Sequence, residues 1–409
     1  MPIAEVRDLA GLGDGVATVN GRNVFIRGAY PGERVKVRTF GGKKGARAKL
    51  LTILTPSPDR VPSVCEVSEQ CGGCPFASLS PEAQRRFKRA QAQWAVGRPV
   101  PMHPAPALEG YRRRARLAFD ATKDALRIGY REAGAHRLVE PGHCVVLTPV
   151  IEVSRRRLAD LPLQGTGEIQ LDTGQDGLPV AVLRTGPQPA ALYRALEDLV
   201  AANVFAGFGL HVEGVHPATF GDPRPVSLAL DGAPLVSGIA GFTQAYDQQS
   251  LALASRVQEW AAPTGRRVVE LYAGSGHLSV ALGAAASLTV VEQQPAAAAA
   301  LMANLKARGI EATVHTKDAA SVELPPSDVA VLDPPRSGAR EALAAIERTG
   351  AQEMIYVSCS PATLRRDRMA LGALGFVVAD AEAFDFFPHP AHVEAVVRFR
   401  RAAAGEGSR

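Results

Sequence analysis

Hydrophobic positions fall into three successive textures along the chain. Residues 1–57 hold short apolar runs such as Val24-Phe25-Ile26, Val35-Lys36-Val37 and Leu50-Leu51-Thr52-Ile53-Leu54, with glycine corners at Gly11-x-Gly13-x-Gly15 and Gly32. Short strands at regular spacing, turned by glycine, predict a small β-barrel of the OB type. Residues 58–240 are mixed, include a proline-rich passage at 99–106, and read as a central α+β domain. From 241 to 403 strand-like runs alternate with helical ones, which predicts a Rossmann-like domain on a parallel sheet. The alanine runs at 284–286 and 296–300 read as helix filling, and the polar end 404–409 as a disordered tail. The whole is a multidomain α/β chain without internal repeats.

Composition agrees with that division. A chain of 409 residues exceeds one comfortable core, and 46% apolar with 21% charged residues is the balance of a soluble globular protein. Glu5, Arg7 and Asp8 do not suit a signal peptide, and no apolar run reaches the ~18 residues of a membrane span. A cytoplasmic protein, away from membranes and monomeric, is expected. Charge is uneven: residues 1–60 hold 11 Lys and Arg against 5 Asp and Glu, more excess than the +5 of the whole chain. Lys43, Lys44, Arg47 and Lys49 crowd one loop, and a second basic zone runs from Arg85 to Arg116. Two basic zones favour a phosphate backbone, and hence nucleic acid, as partner.

The five cysteines divide four plus one. Cys65, Cys71 and Cys74 form C-x5-C-x2-C, with Cys144 further on, while Cys359 stands alone after the apolar run ending at Val357. Four soft ligands suit either tetrahedral zinc or a [4Fe–4S] cluster, and an isolated thiol with an acid near it suits a nucleophile. Only Cys71-Gly72-Gly73-Cys74 is a knuckle, whereas zinc ribbons pair two of them.

In the C-terminal segment, Val268-Val269-Glu270-Leu271 runs into Tyr272-Ala273-Gly274-Ser275-Gly276, and glycines at 274 and 276 let a ligand approach the backbone. A following strand ends in Glu292, placed for ribose hydroxyls. With the Val329–Leu332 strand ending in Asp333-Pro334-Pro335-Arg336, the pattern favours S-adenosylmethionine over NAD. Ligands of such sheets bind at the strands' carboxyl ends, where Glu270, Glu292, Asp333 and Cys359 all fall. Asp318, in a loop, is placed to reach an adenine. Glu394 is flanked by apolar residues, an expensive place for a carboxylate without a role.

Asp-Pro-Pro-Arg at 333–336, Ser-Cys-Ser-Pro-Ala-Thr-Leu-x-Arg-Asp at 358–367 and Phe-Pro-His-x-x-His-x-Glu at 387–394 together resemble the RNA uracil-C5 methyltransferase family. Phe242-Thr243-Gln244 is similar to its Phe-x-Gln motif. The N-terminal strands resemble its TRAM domain, and the cysteine spacing its iron–sulfur branch. The resemblance covers nearly the whole chain. It implies Cys359 as nucleophile, Glu394 as base, and Gln244, Tyr272, Gly274, Gly276, Glu292 and Asp333 around the cofactor and target. It further implies a [4Fe–4S] cluster on Cys65, Cys71, Cys74 and Cys144 and 23S ribosomal RNA as substrate, uracil 1939 first and uracil 747 or both next. Uracil 54 of transfer RNA is the nearest alternative, and a non-catalytic RNA-binding iron–sulfur protein a distant one. Tyr246, His277 and Pro390 depart from the family's usual Asn, Asn and Thr.

Overall fold

The structure, a computed structural model, describes residues 1–41, 46–122 and 125–403. Lys43 and Lys44, and the expected tail 404–409, lie outside the described residues. Strands Ile3–Leu9, Gly15–Val19, Arg22–Ile26, Arg34–Phe40 and Ala46–Thr55 close into a five-stranded barrel. The reason is visible in Arg34–Phe40, where Val35 and Val37 point into the barrel and Arg34, Lys36 and Arg38 point to water. Alternation therefore fills the interior with Val6, Ala17, Val24, Ile26, Val35 and Val37 while the same strands carry cations outside.

Central residues build a seven-stranded sheet, in the order Ala218–Gly221, Gly207–Val212, Pro179–Thr185, Gly165–Thr173, Ala115–Ala121, Arg127–Arg131 and Leu138–Val139. Helices Pro149–Arg157 and Ala190–Ala201 cover it, and Ile151, Leu192 and Leu196 enter a core with Ile169, Leu171 and Phe208.

An eight-stranded sheet follows, in the order Thr313–His315, Ser287–Val291, Arg267–Leu271, Val329–Leu332, Glu353–Ser358, Glu394–Arg401, Phe376–Phe384 and Met102–His103. The first five are mutually parallel and Glu394–Arg401 runs against them. All four residues of Val329–Leu332 are buried, as expected for a strand with helices on both faces. Strand order reverses between Arg267–Leu271 and Val329–Leu332, which opens a crevice at their carboxyl ends.

Chain order and spatial order part at residues 81–103. This stretch lies inside 58–240, yet its Pro81–Val96 helix sends Ala92, Ala95 and Val96 into the core of the eight-stranded sheet, and Met102–His103 becomes that sheet's edge strand. The helix starts at Ser80, whose hydroxyl accepts from the Ala83 amide at 3.3 Å, continues through Pro81, and stops at Gly97 with φ 80°. Within it Lys88 is fully buried and paired with Asp385 at 2.6 Å. No described helix is long and apolar enough to cross a membrane.

Leu171 is fully buried in the central sheet. Leu171→Ala should lower the unfolding free energy of that domain by about 2–5 kcal/mol, read from a urea transition, because packed neighbours relax only partly into the cavity.

Candidate active site

The crevice begins where Arg267–Leu271 ends. Tyr272 adopts φ 65°, a left-handed conformation rare for a side chain of that size, and Gly274 and Gly276 follow at φ 57° and 95°. A Cβ on Gly276 would stand 2.6 Å from Leu301 Cδ1, whereas one on Gly274 would meet nothing within 4 Å. Gly276 is thus required by packing, and Gly274 faces open space as a cradle for a ligand should. The Glu292 carboxylate is buried and accepts from the amides of Gly274 at 2.8 Å and Gln294 at 2.7 Å. It therefore holds the glycine turn itself, with the second lone pair of each oxygen left for a ligand.

Glu270, expected at the rim, is fully buried beneath it and accepts from Ser279 Oγ at 2.5 Å. Burial pushes its carboxyl up to about 8. Tyr272 is half-buried, and its hydroxyl is raised to about 12 by burial and then by the charges of Asp318 and Asp367. Asp318 is exposed in its loop in the neighbourhood of Tyr272, and its Oδ1 accepts from the Ala320 amide at 2.7 Å.

Strand register brings Cys359 and Glu394 together. Ser358 pairs with Ala395, so Cys359, one step beyond, and Glu394, one step before, meet across two antiparallel strands. On the other side Leu332 pairs with Tyr356, which sets Asp333 beside the same strand end. Cys359 is half-buried, and its thiol is pushed up to about 11 by burial, then by Glu394 and Asp333, against the pull of Arg336. Glu394 is held well above the usual carboxylate range by burial and by Asp333. Asp333 opens only partly to the crevice, and burial raises it to about 7. His392 Nε2 lies 3.4 Å from Arg336 Nη2, and burial with three nearby cations brings its ring down to about 4, so it is a neutral imidazole.

Two supporting groups carry no sequence assignment beyond their place in a motif. Asp367 is fully buried and accepts from the Ala339 amide at 2.8 Å and from Tyr356 Oη at 2.7 Å, while Arg366 Nη2 donates to the Ser337 carbonyl at 2.7 Å. The helix after Cys359 thus holds the loop carrying Asp333 and Arg336. The signal was the spacing from Cys359 to Arg366-Asp367, which by itself names no partner.

Gln244 is half-buried on a strap before the Asp247–Ala261 helix. Its neighbour Thr243 donates to Asp172 Oδ2 at 2.5 Å, and the Asp172 carboxylate stands 3.5 Å from Arg113. Phe242 is exposed under the Arg114 guanidinium, 5.2 Å from the ring centroid. The departures have structural accounts in two cases. Tyr246 stacks on Tyr111 at 4.7 Å and its hydroxyl spans the Ala107 amide and carbonyl, and His277 Nε2 meets Ser250 Oγ at 2.8 Å. Nothing in the structure explains Pro390.

Cys65, Cys71 and Cys74 are gathered with Cys144 from a separate segment, close enough for their charges to act on one another. Burial first, and then the neighbouring thiols, push Cys74 up to about 12. Among the described residues no three His, Cys, Asp or Glu side chains are drawn in tightly enough to hold a single metal ion. Four thiols in one neighbourhood are nonetheless the donor set that soft metal centres use, and a bound metal would offset the cost of ionising them.

A cleft of about 740 Å³ leads to this centre, walled by the barrel, the Gly72-Gly73 knuckle, the central sheet and the loop bearing His392. Arg27, Arg47, Lys49, Arg116 and Arg131 line it.

Residues 324–402 match the family described as tRNA (Uracil-5-)-methyltransferase. The 23S rRNA (uracil(1939)-C(5))-methyltransferase RlmD of Tolumonas auensis is 31% identical, over 95% of this chain and 93% of that one. The enzyme of the same name from Chromohalobacter salexigens is 32% identical, over 97% and 88%. In fold, the tRNA (uracil-54, C5)-methyltransferase of Pyrococcus abyssi is similar with a TM-score of 0.79 and 22% identity, covering 97% of this chain and all of that one. The chain belongs to the RNA uracil-C5 methyltransferase family and is an enzyme of that type.

Because Glu394 holds the Cys359 thiol up, Glu394→Gln should move the thiol's titration midpoint downward from about 11. Iodoacetamide rates at Cys359 measured against pH would show faster alkylation at pH 9 in the variant; an unchanged or higher midpoint would contradict the coupling.

Proposed function

We propose that the protein methylates C5 of a uracil in 23S ribosomal RNA, at the position numbered 1939 in its relatives, with Cys359 as nucleophile and Glu394 as base. The observation that carries this reading is the register that pairs Ser358 with Ala395 and so sets Cys359 and Glu394 beside each other at the strand ends. Uracil C5 is too poor a nucleophile to take a methyl group directly. Attack of the Cys359 thiolate on C6 opens the C5=C6 bond and leaves an enolate whose C5 forms the new carbon–carbon bond. S-adenosylmethionine supplies the methyl group when bound, and the open glycine turn at Gly274 fits it. Glu394 then takes the C5 proton, the electron pair re-forms C5=C6, and the thiolate leaves.

The raised proton affinities suit this sequence. Burial raises both Cys359 and Glu394 in the empty crevice, which disfavours an uncompensated negative pair in a buried site. Before attack the thiol and the carboxyl each give up a proton to solvent, and Arg336 favours both ionised forms. Asp333, poised at about 7, is placed to hydrogen-bond the base in either state. Gln244, Tyr272, Gly276, Glu292 and Asp318 complete the cofactor side in this reading. The basic cleft suits a single-stranded segment whose target base is turned out of its stack, at a cost of about a few kcal/mol.

Cys65, Cys71, Cys74 and Cys144 would hold a [4Fe–4S] cluster, in which each thiolate meets its own iron. The methylation requires no electron, so the cluster's part is to fix the central fold beside the RNA cleft.

Labelled-methyl transfer to separated ribosomal and transfer RNA, with the modified base mapped, tests the reading. Label in 5-methyluridine at 1939 of 23S RNA is the expected result; label confined to transfer RNA would overturn the substrate. Cys359→Ala should abolish transfer, and Glu394→Gln should accumulate a denaturation-resistant protein–RNA adduct because elimination stalls. Cys71→Ala protein prepared without oxygen should lose broad absorption near 400 nm together with its iron and acid-labile sulfide; retained iron at full stoichiometry would refute the ligand assignment.

A further inference from the structure

Glu394 is the first residue of its strand, and residues 385–393 lead directly into it. This loop has no regular structure, and His389 within it takes φ 76°, a conformation that non-glycine residues seldom hold without outside support. The support comes from residues 76–111. Lys88 Nζ donates to Asp385 Oδ1 at 2.6 Å and to the Phe387 carbonyl at 2.7 Å. Tyr111 Oη donates to the Pro388 carbonyl at 2.9 Å. The His389 amide donates to Gln84 Oε1 at 2.8 Å, and its carbonyl accepts from the Phe76 amide at 3.0 Å. Three successive residues are thus gripped through their backbone from a different part of the chain.

The grips are themselves anchored. Gln84 Nε2 donates to the carbonyls of Phe76 at 3.1 Å and Leu79 at 2.8 Å, so its amide is fixed at both ends. Gln84 and Lys88 are both buried and lie four residues apart, on one face of the Pro81–Val96 helix. Further along the same stripe, Ala92, Ala95 and Val96 enter the core of the eight-stranded sheet. The helix therefore presents two polar side chains to this loop, which carries His392 and then Glu394. Neither Gln84 nor Lys88 lies beside Cys359 or Asp333 in any recorded contact, so their influence on the reaction runs through the loop.

We propose that Gln84 and Lys88 are positioning residues for proton abstraction, clamping residues 385–393 so that Glu394 meets the C5 proton. This rests on the methylation reading above. A loosened loop would leave Cys359 attack and methyl transfer largely intact and slow the step that Glu394 performs. The covalent adduct should then build up, as it does when a base is misplaced rather than when RNA binding is lost.

The test uses the full-length enzyme prepared without oxygen. Gln84→Met keeps volume and removes the grip on the His389 amide together with its two anchors. Lys88→Met combined with Asp385→Leu removes both charges together, so that no ion is left stranded in the core. In each, hydrogen exchange of a peptide spanning 385–394 should quicken about tenfold while barrel peptides keep their rates. With a 23S transcript and S-adenosylmethionine, kcat should fall about tenfold, KM should move less than about twofold, and the denaturation-resistant adduct should rise. A lowered Tm with unchanged loop exchange, or with unchanged kcat and adduct fraction, would overturn the proposal and leave these residues merely structural. Absence of methyl transfer in the unaltered enzyme would instead defeat the methylation reading, and loop exchange would still decide whether the clamp exists.

Discussion

The antiparallel pairing of Glu353–Ser358 with Glu394–Arg401 is the constraint on which the site depends. Side chains on a strand alternate between faces, so a one-residue slip would turn Cys359 and Glu394 to opposite sides of the sheet. Register is secured by what lies behind the site, where Ile355, Val357, Val396 and Val397 are buried on the two strands. Hydrophobic burial in the sheet interior thus places two polar reactive groups at its end, to a precision their own interaction could not impose.

That placement is costly in the free enzyme. Asp333, Cys359 and Glu394 crowd one strand end, and burial keeps all three more protonated than they would be in water. Burial thus disfavours the charges that would repel one another, while the Arg336 guanidinium favours the ionised forms of Cys359 and Glu394. Asp367, by contrast, spends its carboxylate on an amide and a tyrosine hydroxyl and serves the architecture of the loop carrying Asp333 and Arg336. Acids within a few ångströms of each other in sequence motifs therefore divide between chemistry and scaffolding by what they touch.

The cysteine-bearing segment also touches the catalytic region. Phe76, two residues after Cys74, shares a hydrophobic cluster with Tyr30 of the barrel and Ala391 of the catalytic loop, and Gly13 packs so closely there that a Cβ would stand 2.8 Å from the Phe76 ring. Barrel, cysteine knuckle and catalytic loop meet at one junction, beside the basic cleft. An RNA seated in that cleft would contact all three at once.

Local patterns were readable from the chain because they depend on neighbours in sequence. Valine-rich strands turned by glycine, the Gly274-Ser275-Gly276 turn, the C-x5-C-x2-C spacing and the motifs around Cys359 and Glu394 each carry their physical cause within ten residues or so. What only the tertiary structure decided involves residues far apart in the chain. Residues 81–103 join the catalytic sheet because Ala92, Ala95 and Val96 complete its core, not because of anything adjacent to them. Glu292 holds the glycine turn rather than standing free, Glu270 lies beneath the rim, and Cys144 joins its three partners across seventy intervening residues. Lys88 reads in the sequence as one more cation in a basic stretch, and burial against Asp385, nearly three hundred residues away, makes it an internal tie. Composition and periodicity report the faces an element must bury; which distant side chain meets it there is settled only when the layers close.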